Sequence, residues 1–403
     1  MPAIPQIVSA DDHLVEPPHL WTSRLPKRAR DTGPRVVRER GRLATREGEI
    51  TIDSSDDSDA MWMDVWHYES VRHVITQASI AVGIPRDEIR AGQPVLYEEM
   101  RPGLTQPTFR LADMDVAGIE ASLCFPNTFV RFCGQRFLWG RDKELAAMCV
   151  EAYNDFVIEE WADGAGGRLI PCAITPLWDP MLAAAEVRRV AARGVRAVAF
   201  SELPPYLGLP SIYTNHWDPF FAACEQSHVV IMVHVGSSSQ LPCTSDDAPL
   251  AVIHALPSNN SAAALVDWLC AALPVRFPGL RLCLAESNIG WIPYFLERLD
   301  TIWDHNRAYT GIRERLPNPP SSYFASNVYC TFFSDAFGLR SLDAIGVDNV
   351  MFETDYPHGD STWPDCLDVA REQTAAAGLT REVVEKVIRG NARQLFDLDR
   401  LSS

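Results

Sequence analysis

The chain has 403 residues, of which 47% are hydrophobic and 22% are charged, and it carries a formal net charge of −17. This composition is ordinary for a globular enzyme, and the negative charge disfavours nucleic acids and anionic membrane surfaces as partners. The first residues lack a signal-peptide pattern, and no apolar stretch reaches the ~18 residues of a membrane helix. None of the 10 cysteines forms a Cys-x-x-Cys pair, so we expect buried free thiols in a cytoplasmic protein.

The first predicted element is a short apolar strand over residues 4–10, followed by acids, a histidine and two prolines. The end of this strand is expected to deliver Asp11, His13 and Glu16 into a loop. Side chains two residues apart in extended chain point the same way, so Asp11 and His13 can face one centre while Asp12 faces away. A carboxylate and an imidazole suit a divalent metal, although this tripeptide taken alone fits a solvated loop better.

The chain changes character over residues 21–110. An arginine-rich stretch is followed by an acidic, serine-rich run and by Trp62, Trp66 and Tyr68, and prolines break the weakly periodic remainder. We interpret this segment as a long insertion, folded in part because its tryptophans need cover. So long an insertion in a compact domain predicts a lid over the active site or a dimer element, with a purely structural subdomain as the alternative.

From residue 111 onward, predicted helices alternate with apolar strands. With the first strand near Val8, the predicted strands number eight, the others lying near Leu123, Ile170, Val198, Ile231, Leu282, Tyr329 and Met351. The predicted helices cover residues 111–117, 141–161, 180–192, 217–226, 262–273, 291–305, 342–345, 364–377 and 381–395. This alternation predicts an α/β fold, a (β/α)8 TIM-like barrel built from residues 1–20 and 111–403. A doubly wound open sheet is the alternative, weakened because no glycine-rich phosphate loop follows any strand.

Ionisable residues directly follow several of the predicted strands. In a (β/α)8 barrel the carboxyl ends of the strands form the active site, so residues far apart in sequence meet there. The residues in question are Asp11, His13, Glu202, His234, Glu286 and Asp355, with His358 close behind. The coincidence of polar residues with strand ends predicts a metal site.

Five segments together resemble the amidohydrolase-related family, in the branch that contains the aminocarboxymuconate-semialdehyde and resorcylate decarboxylases. They are SADDHLVEPP (9–18), VHVGSSS (233–239), LAESNIGWIP (284–293), FETDYPHGDSTWP (352–364) and RGNARQLF (389–396). The resemblance covers the first strand and nearly everything from residue 111 to 398. It says least about the insertion.

The resemblance implies a distorted (β/α)8 barrel, a homodimer and a divalent metal held by Asp11, His13, His234 and Asp355. Each position has a plainer interpretation. His234 could be a core histidine and Asp355 a turn residue, while His358 could contact substrate, support a ligand or make a structural hydrogen bond.

Two positions depart from the family pattern. Asp11 replaces a histidine, and Glu286 stands where the decarboxylases and typical hydrolases carry a histidine that handles protons. Glu286 could be a general base or a further metal ligand. With Glu16 and Glu202 nearby, the carboxylates could hold one or two ions. Zinc, manganese and iron are the candidates, and a carboxylate-rich cluster favours manganese or iron.

Four functions compete. The first is metal-dependent hydrolysis, with Glu286 or Asp355 moving the proton and His358 as a further catalytic candidate. The second is non-oxidative decarboxylation, in which Arg131 or Arg136 could compensate for the acidic site. A non-haem diiron monooxygenase is the third, and a non-catalytic binding protein the fourth. The small-molecule substrate is expected to be aromatic or hydrophobic, because aromatic residues lie near strand ends: Phe125, Phe129, Trp178, Trp291, Tyr356 and Trp363.

Overall fold

The computed structural model describes residues 4–46 and 49–401. Twelve strands occur in this part of the chain, and they form two sheets. The strands are β1 (Ile7–His13), β2 (Arg35–Arg46), β3 (Glu49–Ser54), β4 (Met61–Tyr68), β5 (Val71–Val74), β6 (Ile119–Phe125), β7 (Leu169–Ala173), β8 (Ala197–Phe200), β9 (Val230–His234), β10 (Leu282–Ala285), β11 (Val328–Phe332) and β12 (Val350–Phe352).

The larger sheet is the predicted barrel. Its eight strands are parallel and run in the order β1-β6-β7-β8-β9-β10-β11-β12. Backbone hydrogen bonds join β1 to the segment after β12: Asp355 N–H donates to Asp11 O at 3.1 Å, and His13 N–H donates to Tyr356 O at 2.6 Å. The prediction of a (β/α)8 barrel is confirmed, and its strands are buried on both faces because helices cover the outside.

The helices lie mostly where the apolar periodicity predicts them. Most of the helices of four to six residues escaped prediction because they are too short to show a period, and the eight-residue helix Pro320–Asn327 was also missed. The α-helices are Leu20–Arg24, Pro107–Ala117, Gln135–Leu138, Lys143–Phe156, Pro180–Ala191, Asp218–Gln226, Leu250–Ala255, Ser258–Cys270, Leu273–Arg276, Ile292–His305, Arg307–Thr310, Ile312–Arg315, Pro320–Asn327, Ala336–Arg340, Leu342–Ile345, Cys366–Ala376, Arg381–Glu385, Asn391–Leu395 and Leu398–Leu401, with π-helical segments at Val157–Ala162 and Lys386–Gly390.

The first strand extends further than predicted. We expected it to end near residue 10, with Asp11 and His13 in the following loop, but β1 runs through His13. Every residue of β1 is buried, including its two aspartates and its histidine. The prediction of the boundary was wrong because polar residues usually end a buried strand, whereas these polar residues continue the ladder toward the barrel end.

The insertion contains a regular sheet that the sequence analysis missed. Strands β3-β2-β4-β5 form an antiparallel sheet in that order. Ile52, Met63, Val65 and Val74 make a small core of their own. Strand β3 was not predicted because residues 51–54, which belong to it, lie at the start of the acidic, serine-rich run.

The insertion packs on the carboxyl end of the barrel. The Tyr97 hydroxyl donates to Glu16 O at 2.7 Å, after β1, and Asn127 Nδ2 donates to Ser79 O at 3.3 Å, after β6. Val82 N–H donates to Pro357 O at 3.1 Å, after β12. The insertion therefore lies against three of the loops that surround the expected active site.

The tryptophans of the insertion differ in cover, and the cysteines are free. Trp66 is buried and stacks on Phe129 at 4.4 Å between ring centroids, whereas Trp62 is exposed. All ten cysteines are unpaired thiols; Cys243 is exposed, Cys270 is partly buried and the rest are buried. Across the described ranges, no helix has both the length and the apolarity that a membrane crossing requires.

Candidate metal centre

Four predicted ligands converge at the carboxyl end of the barrel. Asp11 and His13 lie on β1, His234 ends β9, and Asp355 lies three residues beyond β12. All four side chains are buried. His13 Nε2 lies 3.6 Å from Asp11 Oδ1 and 3.5 Å from Asp355 Oδ1, and His234 Nε2 lies 3.3 Å from Asp11 Oδ2. The possible ligand atoms form two groups that share His13, one with Asp11 and His234 and the other with Asp355 and His358.

The two histidines present their Nε2 atoms to this centre. His13 Nδ1 lies 3.0 Å from Pro126 O, and His234 Nδ1 lies against Val235 O. A carbonyl can only accept, so each Nδ1 must donate and carry the proton. In the neutral imidazole this leaves the Nε2 lone pair available, which is the arrangement of a metal-ligating histidine.

None of the inward-facing atoms has a hydrogen-bond partner. His13 Nε2, His234 Nε2 and both carboxylate oxygens of Asp11 and of Asp355 are buried without a bond of acceptable geometry. His358 Nδ1 lies 2.7 Å from Asp355 Oδ1, where a protonated His358 forms an ion pair with this carboxylate. Buried polar atoms are nearly always satisfied, so a cluster of unsatisfied ones needs an explanation.

The pKa shifts of the carboxyl groups reflect the same crowding. Burial raises the pKa of Asp11 well above its usual value, and the charges of Glu353 and Asp355 raise it further. Burial likewise raises the pKa of Glu286, again with Asp355 and Glu353 as neighbours. Burial alone would also raise the pKa of Asp355, but His358 and His13 outweigh it and lower that pKa below its usual value. A bound cation would relieve the mutual repulsion of these carboxylates.

Burial and neighbouring charges shift the pKa of each histidine. Burial, reinforced by His358, lowers the pKa of His13 to about 4. Burial and the charge of His13 lower the pKa of His234 well below its usual value. Burial also works to lower the pKa of His358, but the carboxylate of Asp355 outweighs it and raises that pKa. At neutral pH, His13 and His234 are therefore neutral, which is the form that binds a metal.

Glu286 lies at the edge of the cluster. It directly follows β10, its Oε2 lies 3.3 Å from His234 Nε2, and its side chain is 24% exposed. Both Glu286 and Asp355 have left-handed backbones, with φ of 53° and 49°. This conformation is strained for a residue with a side chain, and such strain is concentrated at functional sites.

Residues that the sequence analysis did not assign to the site hold Asp11, His13 and Asp355 in place. Asp12 faces away from the centre, as alternation predicts, and accepts hydrogen bonds from Ser122, from Thr354 Oγ1 at 2.6 Å and from Tyr356 N–H at 2.9 Å. The buried guanidinium of Arg110 donates to the carbonyl of His13. Together they fix β1 against β6 and against the segment that carries Asp355.

Glu353 is a second residue that sequence reasoning overlooked. It is fully buried, accepts hydrogen bonds from Thr331 Oγ1 and from Glu286 N–H at 3.1 Å, and has a pKa that burial raises to about 8. It therefore supports the turn that carries Glu286. The sequence did indicate Glu353, because it directly follows the apolar strand β12 and lies two residues before Asp355, so that in extended chain both side chains point the same way.

Two acids expected nearby belong to other networks. Glu16 Oε1 accepts from Asn127 N–H at 3.0 Å, and Glu202 Oε1 accepts from Ser238 Oγ at 2.7 Å and Asn260 Nδ2 at 3.2 Å. Neither carboxylate joins the ligand clusters that the described residues form. Burial raises the pKa of both to about 7.

The aromatic surroundings of the site differ from the expected set. Phe125 lies against His13 and His234, with ring centroids 5.8 and 5.1 Å away, as predicted. Phe129 instead packs on Trp66, and Tyr356 lies under Arg110 with its hydroxyl bonded to Asp113. A residue that the sequence did not reveal lies closer: Phe132, which stacks on His234 at 4.2 Å. Loop residues carry no periodic signal, so Phe132 could not be singled out.

The residues present fit a divalent ion. Two neutral imidazole nitrogens and two carboxylates are ordinary ligands for zinc, manganese or iron, and the buried, unsatisfied state of these atoms is what a site built for a cation requires. Asp11 lies within reach of both histidines, and Asp355 lies within reach of His13 and His358. The fold and this cluster define the class: a (β/α)8-barrel protein with a candidate metal centre at its carboxyl end.

The chain belongs to the amidohydrolase family, because the amidohydrolase family model matches residues 55–398. Several solved structures share its fold. An amidohydrolase from Mycobacterium avium subsp. paratuberculosis K-10 is 22% identical, with a TM-score of 0.69 over 98% of this chain and 100% of that chain. A 5-carboxyvanillate decarboxylase from Sphingomonas paucimobilis is 23% identical, with a TM-score of 0.58 over 73% of this chain and 84% of that chain.

A dihydroxybenzoic acid decarboxylase from Polaromonas sp. JS666, with bound manganese and the inhibitor 2-nitroresorcinol, is 22% identical. Its TM-score is 0.59, over 76% of this chain and 91% of that chain. At this level of identity the likeness establishes the shared barrel fold.

Proposed function

We propose that the chain is a metal-dependent enzyme whose metal ligands are Asp11, His13, His234 and Asp355. The observation that carries this proposal is a set of six buried atoms of these residues that lie around His13 without a hydrogen-bond partner. Among the candidate ions we favour manganese, because relatives of the same fold are described with bound manganese. We propose one ion per chain, because the two groups of possible ligand atoms share His13.

We propose non-oxidative decarboxylation of a small aromatic acid as the reaction. Structures with the same fold include decarboxylases of 5-carboxyvanillate and of dihydroxybenzoates, which supports this choice. Phe132 and Phe125 supply flat apolar faces beside the ligands. A divalent ion held by the four ligands would supply a Lewis acid for oxygen atoms of the substrate.

The protein groups have separate tasks in this reaction. The bond between the ring carbon and the carboxyl group breaks, carbon dioxide leaves, and the ring carbon takes up a proton. Glu286 is placed to donate that proton, because its Oε2 lies 3.3 Å from His234 Nε2 and its side chain is 24% exposed. His358, paired with Asp355 at 2.7 Å, orients this ligand and is placed to contact substrate.

Hydrolysis is the second candidate, and Glu286 is the observation that favours it. A carboxylate can take a proton from water as the water adds to a carbonyl, and it can then return the proton to the leaving group. The family resemblance places a histidine at this position in the decarboxylases. A diiron oxygenase is disfavoured, because the solved structures of the same fold include several decarboxylases and because Glu16 and Glu202 bind other groups.

The experiment that tests the proposal is a reaction screen with the manganese-loaded chain. It offers 2,6-dihydroxybenzoate, 5-carboxyvanillate and related aromatic acids, with chromatography of the products and measurement of released carbon dioxide. A parallel set of aromatic esters, lactones and amides tests hydrolysis. The proposal predicts that one set reacts and that His234→Ala abolishes the reaction. Turnover that persists in His234→Ala would contradict it.

A further inference from the structure

A cavity of about 580 Å³ lies between the insertion and the barrel loops. The insertion contributes Arg46 from β2 and Arg72 from β5. The barrel contributes Arg131 and Arg136 from the region after β6, and further residues from the loops after β8 and β9. The cavity is therefore built jointly by the two parts of the chain, at the same end of the barrel as the candidate metal centre.

The lining of this cavity is basic, although the chain as a whole carries a charge of −17. Four of its described lining residues are arginines, and among the described residues no carboxylate lines it. Arg46 also pairs with Asp53 at 2.5 Å and Arg72 with Glu39, and neither acid belongs to the lining. A concave surface lined by guanidinium groups attracts anions, which arginine binds through paired hydrogen bonds.

Flat aromatic faces accompany the positive charge. Trp139 and Tyr206 line the cavity and are 45% and 49% exposed. The guanidinium of Arg131 lies 5.2 Å from the centre of the Trp139 ring. The rest of the lining is mostly small or neutral and polar, including Ser239 and Gln240. This combination suits an anionic group carried on a flat organic framework better than a bare inorganic ion.

Two short connections link the cavity to the metal centre. Arg131 immediately precedes Phe132, whose ring stacks on His234. Ser239 lies five residues after His234 in the same loop, and Gln135 Nε2 ties the two loops together by donating to Ser237 O at 2.9 Å. A molecule in the cavity therefore lies beside the loops that hold His234 and Phe132.

We propose that this cavity is an anion-binding subsite that holds a carboxylate or phosphate group of an organic substrate, remote from the group that reacts at the metal centre. That the cavity binds an organic anion follows from its lining. That this anion belongs to the substrate rests on the proposed function.

Binding of two simple probes tests the subsite. Phenyl phosphate and benzoate are titrated calorimetrically into the full-length chain, once with a chelator and once loaded with manganese. At least one probe is expected to bind the metal-free chain with a stoichiometry of one. Loss of one arginine contact in Arg131→Gln is expected to weaken this binding about 10-fold, and Arg131→Lys to restore part of it. The stronger probe identifies whether the subsite prefers phosphate or carboxylate.

Two further variants guard against trivial outcomes. Arg46 is exposed at the end of β2, so Arg46→Gln should fold normally and weaken the same binding even if Arg131→Gln does not fold. Arg28→Gln, at an exposed arginine outside the cavity, should leave binding unchanged. Absence of binding by both probes overturns the inference, as does equal binding by wild type and Arg46→Gln. Measuring probe binding does not require turnover, so this test remains valid even if the reaction screen finds no substrate. Turnover in the screen without probe binding would overturn the proposed subsite but not the proposed function.

Discussion

The carboxyl end of the barrel and the β2–β5 sheet differ in whether their charged side chains have partners. In the sheet, charges are matched: Arg38 pairs with Asp64 at 2.6 Å, and Arg46 pairs with Asp53. At the barrel end, Asp11 and His234 lie buried with inward-facing atoms that have no hydrogen-bond partner. Ion pairs near solvent change the free energy of folding little, whereas each buried polar group without a partner destabilises the folded state by several kcal/mol.

This difference separates structural from functional residues. Folding alone explains the Arg38–Asp64 pair and the small apolar core of the sheet, because these contacts are complete within it. Folding alone does not explain four ionisable side chains that converge in the interior. A divalent cation would supply the missing partner, and the cost of building the cluster then becomes part of the binding free energy of the ion.

The largest expected effect comes from removing a proposed metal ligand. His234→Ala should weaken manganese binding by at least about 100-fold, since a first ligand matters at least as much as the groups that orient ligands. Elemental analysis and isothermal titration measure the loss. His254→Ala, at an exposed histidine on the helix Leu250–Ala255, is the control and should retain metal. Equal metal content in both variants would show that His234 is not a ligand.

The junction between the two regions should be nearly as sensitive as the site. Trp66→Ala removes a buried ring that stacks on Phe129 and contacts Trp21, so it should lower the free energy of unfolding by about 3–5 kcal/mol. Trp62→Ala, in the same strand but exposed, should change it by no more than about 0.5 kcal/mol. Chemical denaturation compares the two. Similar values would mean that the insertion does not share the barrel core.

Glu286 distinguishes proton transfer from metal binding. Glu286→Gln keeps the shape of the side chain but cannot exchange a proton, so turnover should fall about 100-fold while metal content stays unchanged. Kinetics and elemental analysis of the same preparation measure the turnover rate and the metal content. Loss of metal together with activity would instead assign Glu286 as a further ligand.

The smallest expected effect concerns Glu202, whose pKa burial raises to about 7. Between the usual pKa of a glutamate and pH 7, the folded state retains a proton that the unfolded state has released. Stability should therefore fall as pH rises through this window and level off above it.

Denaturation of the metal-free chain from pH 5 to 8 measures this slope. Glu202→Gln should reduce the change in unfolding free energy over this pH range by on the order of 1 kcal/mol. Glu98→Gln, at an exposed position, should leave it unchanged. If wild type and Glu202→Gln show the same dependence on pH, the carboxyl group of Glu202 does not titrate in this window.

The sequence sufficed for the barrel and for much of the site, and physical reasons explain the rest. Apolar strands such as Ala197–Phe200 and Val350–Phe352 could be bounded exactly as found, because each is a continuous apolar run between polar residues. The rule that ionisable residues follow barrel strands located His234, Glu286 and Asp355. The same rule should have located Glu353.

Other features depend on contacts that no local pattern encodes. Strand β1 continues through Asp11 and His13 because the segment after β12 closes the ladder from a distance of more than 340 residues along the chain. The β2–β5 sheet is hidden by its charged side chains, which pair across strands. Phe132 lies in a loop and is placed on His234 only by the fold.

The most direct test of the central claim is the metal stoichiometry of the wild-type chain. The chain is stripped with a chelator, titrated with manganese, and measured by elemental analysis after removal of free ion. One tightly bound ion per chain is expected, and Asp11→Asn, His13→Ala and His234→Ala should each lose it. No bound ion, or an ion that survives all three substitutions, would contradict the assignment of the buried cluster as a metal centre.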